Sequence, residues 1–252
     1  MTIITKVDEE YLLELKNNID SCKICHGTSL SCACYKTYFL EVSKISACIP
    51  SNYRQYTWES LKSSNIQASI KKIKPYIEKL DYYRKTGTGL YLYGGGGTGK
   101  TAVGCIVLIE AIKKGYPVYY TDIDEYLRRM FNDAFKHDKE DGEQNELMRD
   151  SDFLLIDNLG DDAQDSKGLK KAWMDELLRY RTDNRLPSII VTRYDENELT
   201  KNHARWKSIF KEHFLPPIAF TGEDYRLSIR NDNAKKNKQR NQTTGKDVPK
   251  GK

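Results

Sequence analysis

The sequence predicts an α/β fold: a nucleotide-binding core with a five-stranded parallel sheet, preceded by a small zinc-binding N-terminal module. Three observations carry this reading. Short apolar segments alternate with helical stretches along 252 residues, the pattern of a doubly wound parallel sheet with its ligand at the strand C-termini. Gly94-Gly95-Gly96-Gly97-Thr98-Gly99-Lys100-Thr101 matches the P-loop pattern G-x-x-x-x-G-K-[ST] in full. Four of the six cysteines crowd into residues 22–34.

Composition narrows the class. Charged residues make up 31% of the chain and the mean hydropathy is −0.70. Met1 to Lys16 has no apolar segment of the signal-peptide kind. The longest apolar stretch, Ala102 to Ile109, is too short to span a bilayer. A soluble, cytoplasmic protein with no membrane partner is expected. The net charge of +5 is unevenly placed, and residues 231–252 read as a disordered basic tail. That tail is either a solubilising end or a contact for a phosphate backbone.

From the N-terminus, Asp8 to Ile19 predicts a helix with Leu12, Leu15 and Ile19 on one face. Cys22-x-x-Cys25 and Cys32-x-Cys34 follow. In a reducing compartment, clustered cysteines serve as metal ligands more often than as disulfides. Two close pairs suit tetrahedral Zn²⁺, with the adjoining His26 as an alternative to one thiolate. Metal then supplies folding energy that so short a segment lacks. Tyr35, Lys36, Tyr38 and Phe39 either pack around this knuckle or stack on single-stranded nucleic acid. Residues 49–54 read as a linker made extended or turned by Pro50. Ile66 to Leu80 predicts a helix with Ile66, Ile70, Ile73 and Ile77 in step, broken or kinked at Pro75.

Gly89 to Tyr93 is the strand before the P-loop, and Ala102 to Ile112 the helix after it. Strand, glycine loop and helix aim backbone N–H groups at a triphosphate. Gly94 to Ala102 therefore bind the nucleotide. Lys100 reaches the β- and γ-phosphates and the Thr101 hydroxyl holds Mg²⁺. Cys105 falls inside this helix as a small apolar residue. Val118 to Thr121 is the second strand. Asp122 or Asp124 caps a helix whose stripe of Leu127, Met130, Phe131, Ala134 and Phe135 is expected in the core. A polar stretch, His137 to Gln144, separates it from Phe153 to Asp157, an apolar strand whose terminal carboxylate is the second Mg²⁺ holder. Lys170 to Arg181 predicts a helix with Trp173, Leu177 and Leu178 inward. Ser188 to Thr192 and Ile218 to Phe220 complete five strands.

In order along the chain, the double-Cys knuckle, IPSNYRQYTWESL at residues 49–61, LYLYGGGGTGKT, LLIDNLG, RLPSIIVTRYDENEL and TGEDYRL resemble one family. It is that of the bacterial replicative helicase loaders of the DnaC/DnaI type. These are AAA+ ATPases that are also similar to the IstB transposition helpers, and the resemblance runs from about Cys22 to Arg230. It implies a partner-binding module at residues 1–48, an AAA+ ATP-binding domain at 49–230, and Ile49, Pro50 and Tyr53 around the adenine. It also implies Arg226 at the γ-phosphate and Arg205 as the arginine finger onto a neighbouring subunit. The expected partners are the replicative helicase hexamer, single-stranded DNA and other copies of the chain in the ATP state.

Two residues depart from the family pattern. Asn158 replaces the acidic residue expected after Asp157, and an amide cannot accept a proton from water. Asp161 or Asp162 would have to substitute. Arg193 stands where a neutral sensor asparagine is expected. Secure ATP binding with slow hydrolysis follows, so that ATP acts as a switch. A transposition helper and a non-hydrolysing nucleotide-dependent scaffold remain the alternative readings.

Overall fold

A computed structural model describes residues 5–61, 64–160, 169–201, 204–222 and 224. The expectations for Asp161, Asp162, Arg226 and the tail at 231–252 lie outside these residues. Among the described residues, no helix is long and apolar enough to cross a membrane.

Helix α1 (Lys6–Asp20) begins with a reciprocal capping box between Thr5 and Asp8. Leu12 and Leu15 are half-buried and Ile19 is buried, as the spacing predicts. After the knuckle comes α2 (Ala33–Ser46), which sequence reading left without an element. Pro50 is extended (φ −58°, ψ 139°) and is followed by the one-turn helix α3 (Ser51–Arg54). Helix α4 (Ser64–Glu78) runs through Pro75, so of the break or kink expected there the break does not occur. Pro75 and Lys71 are both exposed, so water can serve the carbonyl that proline leaves without a donor. The chain turns instead at Lys79 (φ −110°, ψ 26°), before α5 (Leu80–Thr86), which a left-handed Gly87 ends.

The core alternates β1 (Leu90–Gly94), α6 (Lys100–Lys113), β2 (Val118–Asp122), α7 (Ile123–Phe131), α8 (Lys139–Asp150), β3 (Phe153–Asp157), α9 (Leu169–Asp183), β4 (Ser188–Thr192), α10 (Glu196–Thr200), α11 (Ala204–His213) and β5 (Ile218–Phe220). The five strands form one parallel sheet in the order β2-β3-β4-β1-β5. Period-two alternation splits β1 to β4 between two cores. Leu90, Leu92, Leu155, Ile189 and Val191 face α4 and α6, with Val103, Cys105, Ile106 and Val107. Tyr91, Leu154, Ile156 and Ile190 face α7, α9 and α11, where Trp206 and Phe210 fill the layer.

One expectation for the segment after β2 fails. Phe131, Ala134 and Phe135 are exposed, not core. The backbone widens into a π-helical turn over Asn132–Lys136, which takes Ala134 and Phe135 out of the 3.6-residue stripe, while Phe131 ends α7 just before it. Phe131 and Phe135 lie against each other at 4.8 Å between ring centroids. Ile123, Tyr126 and Leu127 are the residues that meet the sheet. The polar stretch at 137–144 is in part helix α8, capped by the Asp138 carboxylate. Its charged composition and Gly142 conceal it, and Gln144, Asn145 and Met148 are its buried residues.

The N-terminal helices are joined to the core by hydrogen bonds as well as packing. The Tyr120 N–H on edge strand β2 donates to the Ala47 carbonyl at the end of α2 (2.8 Å), covering part of that edge. The Lys44 ammonium donates to the Arg54 carbonyl (3.0 Å) and pairs with Glu41.

Candidate functional site

The carboxyl ends of β1, β3 and β4 and the start of α6 enclose a cleft of about 240 Å³. The P-loop forms its floor. Gly97 (φ 70°) and Gly99 (φ 92°) take left-handed conformations that disfavour a Cβ. At Gly97 a Cβ would also fall 1.9 Å from Asp224 Oδ1. The Lys100 ammonium is buried in the mouth of the loop and donates to the Gly94 (2.7 Å) and Gly95 (2.6 Å) carbonyls. It therefore stands where the loop's N–H groups and the helix N-terminus converge, the arrangement that takes a polyphosphate.

Beside it, the Thr101 hydroxyl donates to Asp157 Oδ2 (3.0 Å) and so does the Tyr120 hydroxyl (3.1 Å). The Asn158 N–H donates to Oδ1 (2.9 Å). Burial pushes the Asp157 carboxyl above its usual range, and these hydrogen bonds pull the other way. A hydroxyl and a carboxylate side by side are hard oxygen donors, and they fit Mg²⁺. Asn158 itself is exposed and left-handed (φ 58°), a conformation that asparagine tolerates better than longer side chains.

Sequence reading placed three residues around the base, and the structure separates them. Tyr53 lines the cleft, with Tyr56 and Leu61, and burial raises its phenol pKa above the ordinary value. Ile49 is fully buried in the core, and its carbonyl accepts from Arg54 (2.7 Å). Pro50 does not line the cleft. Tyr56, Leu61 and Tyr120 were not anticipated. No motif marks them, and Tyr120 reaches Asp157 only because β2 and β3 pair Asp122 with Asp157. Arg193, directly after β4, lines the cleft with Asn158. Arg205 is not brought to this cleft. It is exposed on α11 and lines a separate groove with Asp175 and Glu176 of α9.

The four knuckle cysteines form a second constellation. All four sulfurs lie within 4.8 Å of one another, with Cys22 and Cys32 at 3.9 Å and Cys25 and Cys34 at 3.5 Å. Tetrahedral Zn²⁺ with Zn–S bonds of about 2.3 Å spaces its sulfurs about 3.8 Å apart, so the donor set fits that ion. Among the described residues, His26 is not part of this group, and it is exposed. Cys105 is buried in α6 as expected, and burial pushes its thiol well above the usual range.

Known proteins resemble the chain at both the sequence and the fold level. A family model described as IstB-like ATP binding protein matches residues 54–218. The replicative helicase loader DnaI of Bacillus subtilis (strain 168) is 27% identical over 126 residues, which are 49% of this chain and 39% of that protein. The match thus spans about two fifths of the relative's length. Among solved structures, a crystal structure of DnaI superposes with a TM-score of 0.57 at 19% identity, covering 70% of this chain and 94% of that one. The DnaC helicase loader gives 0.57 at 19%, covering 68% and 100%. The replication initiator DnaA bound to AMPPCP and single-stranded DNA gives 0.56 at 20%, covering 72% and 55%. These superpositions establish a shared fold.

Proposed function

The chain belongs to the IstB-like ATP-binding protein family, and on that premise we propose that it is an ATP-switched loader of the replicative DNA helicase. The observation that carries the proposal is one cleft in which Lys100, Thr101, Asp157 and Arg193 converge, in a chain that also bears a cysteine module. ATP·Mg²⁺ occupies the cleft. Lys100 and the N–H groups of Gly94 to Ala102 take the phosphates, and Thr101 and Asp157 hold the metal. Tyr53, Tyr56 and Leu61 form the wall beside the nucleoside. When bound, Mg²⁺ neutralises phosphate charge; the chain's own groups orient and shield the triphosphate.

Residues 1–48 act as the partner-binding module, with Zn²⁺ on Cys22, Cys25, Cys32 and Cys34. Residues 49–230 are the ATP-binding domain, including Arg226, proposed for the γ-phosphate. Arg205 is exposed and does not line its own cleft, which leaves it available as a finger acting between subunits. With Asn158 in place of a carboxylate, hydrolysis is slow and ATP serves as a state marker. The proposed partners are the helicase hexamer, single-stranded DNA and further copies of the chain, in the cytoplasm.

The test is helicase transfer to circular single-stranded DNA, using the helicase of the same source. Retention of helicase on DNA that requires both this protein and ATP supports the reading. Retention indifferent to this protein contradicts it. The family match favours a second reading, a helper that delivers a transposase to duplex DNA, and the same assay with transposase and duplex separates the two.

A further inference from the structure

Asp157 is held by more than its P-loop partner. The Tyr120 hydroxyl and the Thr101 hydroxyl both donate to the same oxygen, Oδ2, at 3.1 and 3.0 Å. Tyr120 and Asp157 are both buried, at 9% and 4% exposure. The parallel register pairs Asp122 with Asp157 and Tyr120 with Leu155. Tyr120 therefore stands on the same sheet face as Asp157, two residues lower, and its ring spans that rise to bring the hydroxyl to the carboxylate. The ring is fixed at its base by the edge hydrogen bond from its own N–H to Ala47. Oδ1 meanwhile accepts from the Asn158 N–H. The carboxylate is thus pinned from three directions before any metal arrives.

We propose that Tyr120 is a positioning residue of the nucleotide–Mg²⁺ site, holding the Asp157 carboxylate in the orientation that receives the metal. The proposal rests on the reading of the cleft as an ATP·Mg²⁺ site. Thr101 keeps lone pairs free for the ion while donating to Asp157. Without Tyr120, that single hydroxyl and one backbone N–H are left to orient a buried carboxylate, and the metal must supply the missing order on binding. The consequence is specific to the metal. Phosphate contacts from Lys100 and the loop do not involve Tyr120.

The test uses the full chain, zinc-loaded, and a fluorescent ATP analogue titrated first in EDTA and then across Mg²⁺ concentrations. Tyr120→Phe removes one oxygen. It is expected to bind the analogue as wild type does in EDTA, while its half-saturating Mg²⁺ concentration rises about fivefold, the effect of roughly one net hydrogen bond. Tyr119→Phe, the same deletion on the other sheet face, is expected to leave the Mg²⁺ response unchanged. A 4-aminophenylalanine at position 120 returns a donor and is expected to restore the response. An unchanged half-saturation in Tyr120→Phe overturns the proposal. So does a folded 4-aminophenylalanine variant without the Mg²⁺ response, which keeps the test decisive if Tyr120→Phe fails to fold. Wild-type binding that is indifferent to Mg²⁺ overturns the underlying reading of the cleft along with it.

Discussion

Asp8 on the N-terminal helix and Arg54 on the one-turn helix before the nucleotide cleft form an ion pair across 46 residues of sequence. Their side chains are 8% and 16% exposed. Arg54 also donates to the Ile49 carbonyl (2.7 Å), and its neighbour Tyr53 lines the cleft. One short helix therefore touches both the N-terminal helices and the nucleotide site.

Arg54→Ala leaves the Asp8 carboxylate buried without its cation, which costs about 3 kcal/mol. The loss is measurable by chemical denaturation. Asp8→Asn combined with Arg54→Met is expected to lose less than Arg54→Ala alone, because no buried charge is then stranded.

The same pair sets an acid limit. Burial works to raise the Asp8 pKa, but hydrogen bonds from Arg54 and Thr5 outweigh it and hold the carboxyl below its ordinary 3.8. A depressed carboxylate contributes stability that is present above the unfolded pKa and lost as pH falls through the folded one. The pair's contribution is expected to persist from neutral pH to about 4 and to vanish below that. A pH titration of wild type against Asp8→Asn checks it, since the variant should lack that part of the acid transition.

The cysteine module is expected to carry one zinc ion per chain, measured by elemental analysis. Cys22→Ser or Cys34→Ser should reduce that occupancy and loosen α1 and α2, seen as lost amide-exchange protection. Cys105→Ser should not change it, since Cys105 lies in α6 outside the group of four. Undiminished zinc in the knuckle variants would contradict the assignment.

Gly104 packs α6 onto the sheet. Alanine there gains about 1 kcal/mol in helix propensity, but its Cβ would fall 2.5 Å from Leu155 Cδ1 in the core. Overpacking of about 1–3 kcal/mol is the larger effect, so Gly104→Ala is expected to lower the melting temperature.

Asn158 gives a prediction in which backbone and chemistry compete. Asn158→Glu supplies a carboxylate able to accept a proton and is expected to raise phosphate release about tenfold or more. It does so at about 1 kcal/mol in stability, because φ at this position is 58° and glutamate disfavours that region. Asn158→Gly should keep stability without the gain in turnover.

The parts of the fold legible in the sequence are those whose signal is local. The five strands are short apolar runs, and Gly94 to Thr101 is a continuous motif. Asp157 ends an apolar run, and the spacing of Cys22, Cys25, Cys32 and Cys34 marks four sulfurs that the fold brings together. What was not legible depends on register or on relief of a local rule. Pro75 reads as a breaker, yet it sits on an exposed face where a helix tolerates it. Phe131 and Phe135 read as core, but α7 ends at Phe131 and a π-turn takes Phe135 out of the stripe. Tyr120 is one of 17 tyrosines, and only strand pairing sets it under Asp157. Ile49 carried a resemblance, but its side chain serves the core.

Helicase binding under nucleotide control is decided by native mass spectrometry of the zinc-loaded chain with the replicative helicase of the same source. Samples with ATP, with ADP and without nucleotide are compared. A loader is expected to give a defined complex with the helicase hexamer that forms, or changes its stoichiometry, only with ATP. No complex under any of the three conditions would contradict that role.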